Sequence, residues 1–273
     1  MKVFVLGAGK LGQALAKALR KAKIETVLRA ARDGLPKKRI EADVIVLAVR
    51  DRDLRPTAEK LRDSGLVAKK AVVLHVAGAL DAEPLAALRD VCQGVAQMHP
   101  MIAFASTTFG PQLKGGHVHV QGDSAAVKRA EKIAKQLGMK PRTFARLDTI
   151  GYHAAAGLVA NGAAALAAMG AELLVRAGVP REVAPQLLGP LLKSVAENVD
   201  ALGFPEALTG PVRRGDAAGV EKHLAVLREK LPAAVPLYIA SAEAQLPLAR
   251  AIGDAPEYAF GAIEAFLRRP TRP

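Results

Sequence analysis

The sequence contains no tryptophan, a single cysteine and few aromatic residues, 4% in all. With Cys92 alone, an internal disulfide is excluded, and a reducing, cytoplasmic setting is expected. Scarce aromatics remove the stacking platforms on which single-stranded nucleic acids lie. No helix-turn-helix or zinc-finger spacing is present either. Apolar residues make up 51% of the chain, yet Gly, Lys or Arg interrupts the longest runs. No span of the ~18–20 apolar residues needed to cross a membrane is therefore expected. The chain opens directly on a strand-like segment, so no cleaved signal peptide is expected. Acidic residues are also in deficit, 26 against 39 Lys and Arg, for a formal charge of +13. Such a balance suits a nucleic-acid partner or a field that gathers anionic small molecules. Without stacking residues the second reading is preferred, and no nucleic-acid partner is expected.

What the sequence does have is a glycine loop at its very start. Lys2-Val-Phe-Val-Leu6 suits a buried strand, and Gln13-Ala-Leu-Ala-Lys-Ala-Leu-Arg20 suits a helix. Between them stands Gly7-Ala8-Gly9-Lys10-Leu11-Gly12. In that context each glycine has a mechanical task. Gly7 permits the tight turn, Gly9 lets the backbone approach a pyrophosphate, and Gly12 lets helix and sheet pack closely. The helix N-terminus supplies free N–H groups for the phosphates. In sites that prefer NAD, a carboxylate about 20 residues on accepts from the adenosine ribose. Here Arg29 ends the second strand candidate and Arg32 follows, while Glu25 stands too early. A guanidinium cannot accept from a hydroxyl, but it grips a 2′-phosphate bidentately. The expected cofactor is NADP (NADPH). The alternative is that both arginines are solvated charges at the sheet edge.

The first half alternates strand and helix patterns, which predicts an α/β fold: a Rossmann-type, doubly wound, mostly parallel sheet. Strands are expected at 43–49, 71–76, 94–98, 118–121 and around 139–146. Helices are expected near 10–22, 54–63, 81–90 and 124–137. From Thr149 the pattern turns helical throughout, with segments near 150–177, 180–202, 216–230, 233–249 and 256–267. Arg268–Pro273 reads as a loose tail. The expected organisation is a dinucleotide-binding domain over 1–148 and an all-α substrate or dimerisation domain over 149–273, with chemistry in the cleft between them.

Ligands of doubly wound sheets bind beyond the carboxyl ends of the strands. Ala48 and Val49 end one strand candidate, and Gly78 follows the next; all three are placed on the cofactor. His75, inside its strand, reads as structural. His99, before Pro100, reads either as structural or as a substrate contact. His117 and His119 share a strand face, but without acidic or thiolate partners no metal is expected. His153, Gly157 and Asn161 line one helix face. An imidazole there can move a proton and a carboxamide can orient a substrate, so His153 and Asn161 are the catalytic candidates. A histidine at a domain junction with a satisfied asparagine fits the spacing equally. In Leu208-Thr-Gly-Pro-Val-Arg-Arg-Gly-Asp216, Thr209 and Arg214 are candidates for an anionic substrate, beside an expected helix cap. Solvated arginines in a connecting loop are the alternative.

Taken together, the glycine loop, Asp43–Val49, His99-Pro100, Tyr152-His153 with Asn161, and Leu208–Asp216 resemble an uncharacterised family of NADP-oxidoreductase-like proteins. These join a Rossmann-like N-terminal domain to a helical C-terminal domain of unknown function. The family is similar in turn to ketopantoate reductase, pyrroline-5-carboxylate reductase and 3-hydroxyisobutyrate dehydrogenase. The resemblance implies hydride transfer between NADPH and a small anionic carbonyl or imine, and a homodimer formed through the helical domain. The chain departs from the hydroxyacid members, which carry a Lys and an Asn one turn apart on the first interdomain helix. Here the comparable helix has His153 and Asn161, two turns apart, and no Lys. A non-catalytic NADP-binding sensor or scaffold is the alternative function.

Overall fold

In the computed structural model, residues 1–268 are described, so residues 269–273 of the expected tail lie outside them. The chain divides into two compact units, Met1–Ala160 and Asn161–Pro273.

The first unit is a seven-stranded sheet in the order β2-β1-β3-β4-β5-β6-β7. Its strands are β1 (Lys2–Leu6), β2 (Glu25–Arg29), β3 (Val44–Leu47), β4 (Val72–His75), β5 (Gly94–Pro100), β6 (His117–Gly122) and β7 (Lys140–Arg142). All neighbours are parallel except β5 and β6. Alternate residues of the central strands feed two separate cores, as a sheet covered on both faces requires. Val3, Val5, Val44, Val46, Val72 and Leu74 pack with α1 (Lys10–Lys21) and α3 (Ser124–Gln136). Phe4, Leu6, Ile45, Leu47 and Val73 pack with α2 (Asp51–Asp63) and a 3-10 segment, Glu83–Leu88. In α1 the buried residues Gly12, Leu15, Ala16 and Leu19 repeat at helical spacing.

Two elements differ from the sequence expectation. The helix expected near 81–90 is 3-10 over Glu83–Leu88, closing with the Arg89 N–H on the Ala86 carbonyl, three residues back, at 3.1 Å. The strand expected over 139–146 is only Lys140–Arg142, paired on one side with β6 and otherwise at the sheet edge.

Helix α4 (Thr149–Arg176) begins in the first unit and runs into the second. Contrary to the expectation from run lengths, it is long and apolar enough to cross a membrane by length and composition. The polar residues that interrupt its apolar stretch, His153 and Asn161, are outweighed by the Ala, Leu and Val around them. None of its residues is buried.

The second unit has α5 (Ala184–Leu202), α6 (Ala217–Lys230), α7 (Val235–Ile252) and α8 (Glu257–Leu267). Its core is built by α6, α7 and α8, from residues at helical spacing such as Val220, Leu224 and Leu227, and Phe260, Ile263 and Leu267. In α5 only Ala184 is buried. Asp216 caps α6, its carboxylate accepting from the Gly219 N–H at 2.8 Å. A side chain at position 219 would crowd that carboxylate, which accounts for the glycine. Asp216→Ala is expected to cost about 1 kcal/mol and Asp216→Asn almost nothing, read by urea unfolding. Equal losses in both variants would assign the effect to charge and not to the cap.

Candidate active site

The loop after β1 is fixed by contacts that only glycine allows. Gly7 has φ +122°, in the region that favours glycine, and its N–H donates to the Arg29 carbonyl at 2.8 Å. A methyl group there would collide with the Ala48 carbonyl, and one at Gly12 would collide with the Gly7 carbonyl. A methyl at Gly9 would meet nothing within 4 Å, so this is the open side of the loop. No side chain caps the start of α1, whose first N–H groups have no intrahelical partner. Ala8 is half-buried, Lys10 is exposed, and Leu11 packs against the core. Order reverses between β1 and β3, so the loop lies at the topological switch point of the sheet. Ala48 and Val49 leave β3 at the same carboxyl edge. These residues fit a pyrophosphate: an open backbone cradle, free N–H groups and no side chain in the way.

Arg29 ends β2 beside this loop. Its guanidinium donates from Nε to the Gly34 carbonyl at 2.6 Å and from Nη2 to the Asp33 carbonyl at 2.5 Å. Half of its donor fork therefore organises the turn that follows β2. The Arg32 side chain on that turn is 90% exposed. Glu25 sits at the other end of β2, where it pairs with Lys2 at 3.1 Å.

A second group of residues gathers beyond β4 and β5. His75 is structural: Nε2 donates to the Asp81 carbonyl at 2.6 Å, and Nδ1 accepts from the Ala77 N–H at 3.2 Å. His99 donates from Nδ1 to the Val76 carbonyl at 3.3 Å, and its Nε2 is buried without a partner. Because a carbonyl can only accept, this contact places a proton on Nδ1, and burial disfavours a second one on Nε2. His153, near the start of α4, is exposed and packs edge-on to His99 with ring centroids 5.7 Å apart. A methyl at Gly78 would collide with His153 Nδ1 and stand 2.7 Å from His99 Cε1. The two imidazoles thus converge on the bare backbone of Gly78. The first turn of α4 is held here by Thr149, whose hydroxyl donates to the Ala79 carbonyl at 3.2 Å. Asp148 caps that turn through the Ile150 N–H, at 3.0 Å.

Three neighbours, Gln97, His119 and Tyr152, carry no assigned site role in the sequence analysis. Gln97 is fully buried, and its Nε2 donates to the Ala77 carbonyl at 2.8 Å. His119, directly opposite His99 across β5 and β6, is 1% exposed and stacks on Phe144 at 5.6 Å. Tyr152 packs against His99, His119 and Phe144. The available signal was the period-two placement of polar residues in Gln97-Met-His99 and His119-Val-Gln121, which puts all four on one sheet face.

Asn161, Thr209 and Arg214 belong to the second unit, and all three are exposed. Arg213, beside Arg214, is the anchored one: it pairs with Asp254 at 2.6 Å and donates to the Leu208 carbonyl at 2.8 Å. Among the described residues, no three His, Cys, Asp or Glu side chains form a metal-binding group.

The fold and the loop define a Rossmann-type architecture. Residues 117–245 match the family described as "Domain of unknown function (DUF2520)". No curated protein matches the chain. Among solved structures, a Bacteroides fragilis protein provisionally described as an NADP oxidoreductase is 22% identical, with TM-score 0.67. That match covers 90% of this chain and 98% of the other. A Thermotoga maritima protein is 23% identical, covering 91% and 98%, with TM-score 0.66. Plasmodium falciparum pyrroline carboxylate reductase, solved with NADP bound, is 16% identical, covering 96% and 98%, with TM-score 0.60. At these identities the likeness is one of fold, and it bears out the Rossmann-like resemblance read from the sequence.

Burial holds three imidazoles neutral. His75, His99 and His119 are all pushed below the ordinary histidine value of 6.5, in each case first by loss of solvent. Nearby His153 pushes His99 further down. A histidine whose folded value is depressed binds its proton more readily when unfolded. Its contribution is complete above pH 6.5 and is lost as pH falls toward the folded value. Each such group adds a slope of up to about 1.4 kcal/mol per pH unit in that window. The thermal midpoint is therefore expected to be level from pH 8 to 7 and to fall between pH 6.5 and 5. A midpoint unchanged down to pH 5 would show that these histidines are not held neutral.

Proposed function

We propose that this chain is an NADP-dependent oxidoreductase acting on a small anionic carbonyl or imine compound. The observation that carries the reading is the glycine loop, closed against Ala48 by Gly7 and Gly12 and open at Gly9. When bound, the nicotinamide cofactor supplies hydride. The chain's own part is to hold the pyrophosphate on the N–H groups that start α1, and to seat the 2′-phosphate. Arg32 offers an exposed guanidinium for that phosphate, paired loosely with Asp33 at 3.9 Å, while Arg29 keeps the 31–34 turn in shape and retains part of its fork for the same anion. His153 is the proton-handling group: it is exposed, reaches the carboxyl edge of the sheet at Gly78, and is an imidazole. The formal charge of +13 favours anionic ligands generally. We place the protein in the cytoplasm, in keeping with its lone cysteine.

We also propose a homodimer through the helical region. Leu187, Leu191, Val195, Val199 and Leu202 are exposed and follow one another along one face of α5 at spacings of three or four. A second copy is the occupant that such a stripe suits, because it meets the same surface symmetrically. Leu191→Glu is expected to yield a monomer by light scattering; a dimer that persists would locate the interface elsewhere.

Calorimetric titration with NADPH and NADH tests the cofactor. Arg32→Ala is expected to weaken NADPH about tenfold, with NADH and the melting temperature unchanged. Arg29→Ala should weaken NADPH and also lower stability. His153→Ala should keep NADPH affinity but lose NADPH oxidation against a panel of 2-keto acids and cyclic imines. Turnover that survives His153→Ala removes the proton role from it. Tight NADPH binding with no turnover on any member of the panel would favour a sensor or scaffold.

A further inference from the structure

Gln97 and His99 occupy alternate positions of β5 and so share one face of the sheet. Nearer the middle of the sheet that face is apolar, carrying Val95 and Val73. Toward the carboxyl edge it becomes polar: on β6 the buried Gln121 Nε2 and the His119 ring nitrogens lie opposite without a hydrogen-bond partner, while on β5 the unmet atoms are both acceptors. Gln97 spends its amide N–H on the Ala77 carbonyl, and His99 spends its ring N–H on the Val76 carbonyl. Each is left with a lone pair, on Gln97 Oε1 and His99 Nε2. Both atoms are buried without a hydrogen-bond partner. Neither group can turn round to supply a donor, because the opposite orientation would set lone pair against lone pair at the backbone carbonyl.

A buried acceptor left unmet costs about 1–3 kcal/mol. Two on successive same-face positions of one strand define a spot that asks for donors. The spot adjoins Val76–Gly78, the segment leaving β4 at the ligand-binding edge of the sheet. Its cover is the first turn of α4, through the rings of Tyr152 and His153. His153 is exposed, so its ring can swing aside without leaving a packed core.

We propose that Gln97 and His99 form a specificity-determining pair that accepts hydrogen bonds from a ligand N–H or O–H, and so selects ligands that donate at this point over isosteres that only accept. This rests on the oxidoreductase reading for the identity of the site. It adds a polarity rule: the ring nitrogen of an amine or protonated imine satisfies the pair, and an ether or ester oxygen in its place does not. Sites built to hydrogen-bond one partner discriminate strongly against an analogue that leaves buried groups unpaired.

The test compares 5-oxopyrrolidine-2-carboxylate with 5-oxotetrahydrofuran-2-carboxylate, two anionic rings that differ in N–H against O. With the protein saturated by NADP+, calorimetry is expected to give the lactam at least a tenfold advantage (about 1.4 kcal/mol). His99→Phe and, as a second variant that preserves chain length, Gln97→Met should each shrink that ratio several-fold while NADP+ affinity is kept. Equal affinity for the two rings, binding of neither, or a ratio untouched in both variants overturns the donor rule and leaves an ordered water as the pair's partner. Failure of NADP+ itself to bind overturns the oxidoreductase reading instead. A cofactor-free measurement stands beside these: histidine side-chain ¹⁵N spectra should show His99 protonated at Nδ1 with a bare Nε2. A proton on Nε2 would overturn the proposal whatever binds.

Discussion

The approach of helix α1 to the end of β3, through Gly7 and Gly12, is the constraint on which the first unit depends. Two backbones and the Ala48 carbonyl meet there at distances that leave no room for a single added methyl. That contact sets where α1 begins, and hence where its free N–H groups lie. It also fixes the carboxyl ends of β1 and β3 side by side, so the switch point of the sheet is a shaped edge. Gly9 is spared from this packing, and a ligand can approach the backbone only where packing has been spared.

The second centre of gravity is the polar face of β5 and β6. Parallel sheets of this kind are ordinarily apolar on both faces because helices cover them. Here α2 and the Glu83–Leu88 segment cover the part around β1, β3, β4 and the start of β5 at Val95. Beyond them the covering layer is the aromatic group of Phe144 and Tyr152. Rings can lie on imidazoles where aliphatic side chains would strand them, which makes this composition compatible with burial.

Much of this was legible in the sequence. The glycine loop was readable because strand, turn and helix were adjacent, and local order decided it. The Ala- and Leu-rich second half announced its helices through Gly178-Val-Pro180 and the Asp216 cap, both short-range signals. The 3-10 form of Glu83–Leu88 was not legible, since its buried residues Leu85 and Leu88 stand three apart, a spacing that α and 3-10 helices share. Neither was the membrane-like composition of α4, which a count of unbroken runs overlooks and an average does not. At the site, His153 and His99 stood out by residue type and position. Gln97 did not, because its importance comes from which carbonyl its amide faces. That is a matter of strand order, and strand order is not written locally.

Arg29 has a consequence of a different kind. With Nε and one terminal nitrogen given to the Asp33 and Gly34 carbonyls, the residue acts as a pin through its own loop. The preference between two dinucleotides would then be partly a matter of loop shape, set in advance of any encounter. Evolution or design could move it through Gly34, whose φ of +66° suits glycine, without altering a single cation. Selectivity would drift while the electrostatic surface stayed the same.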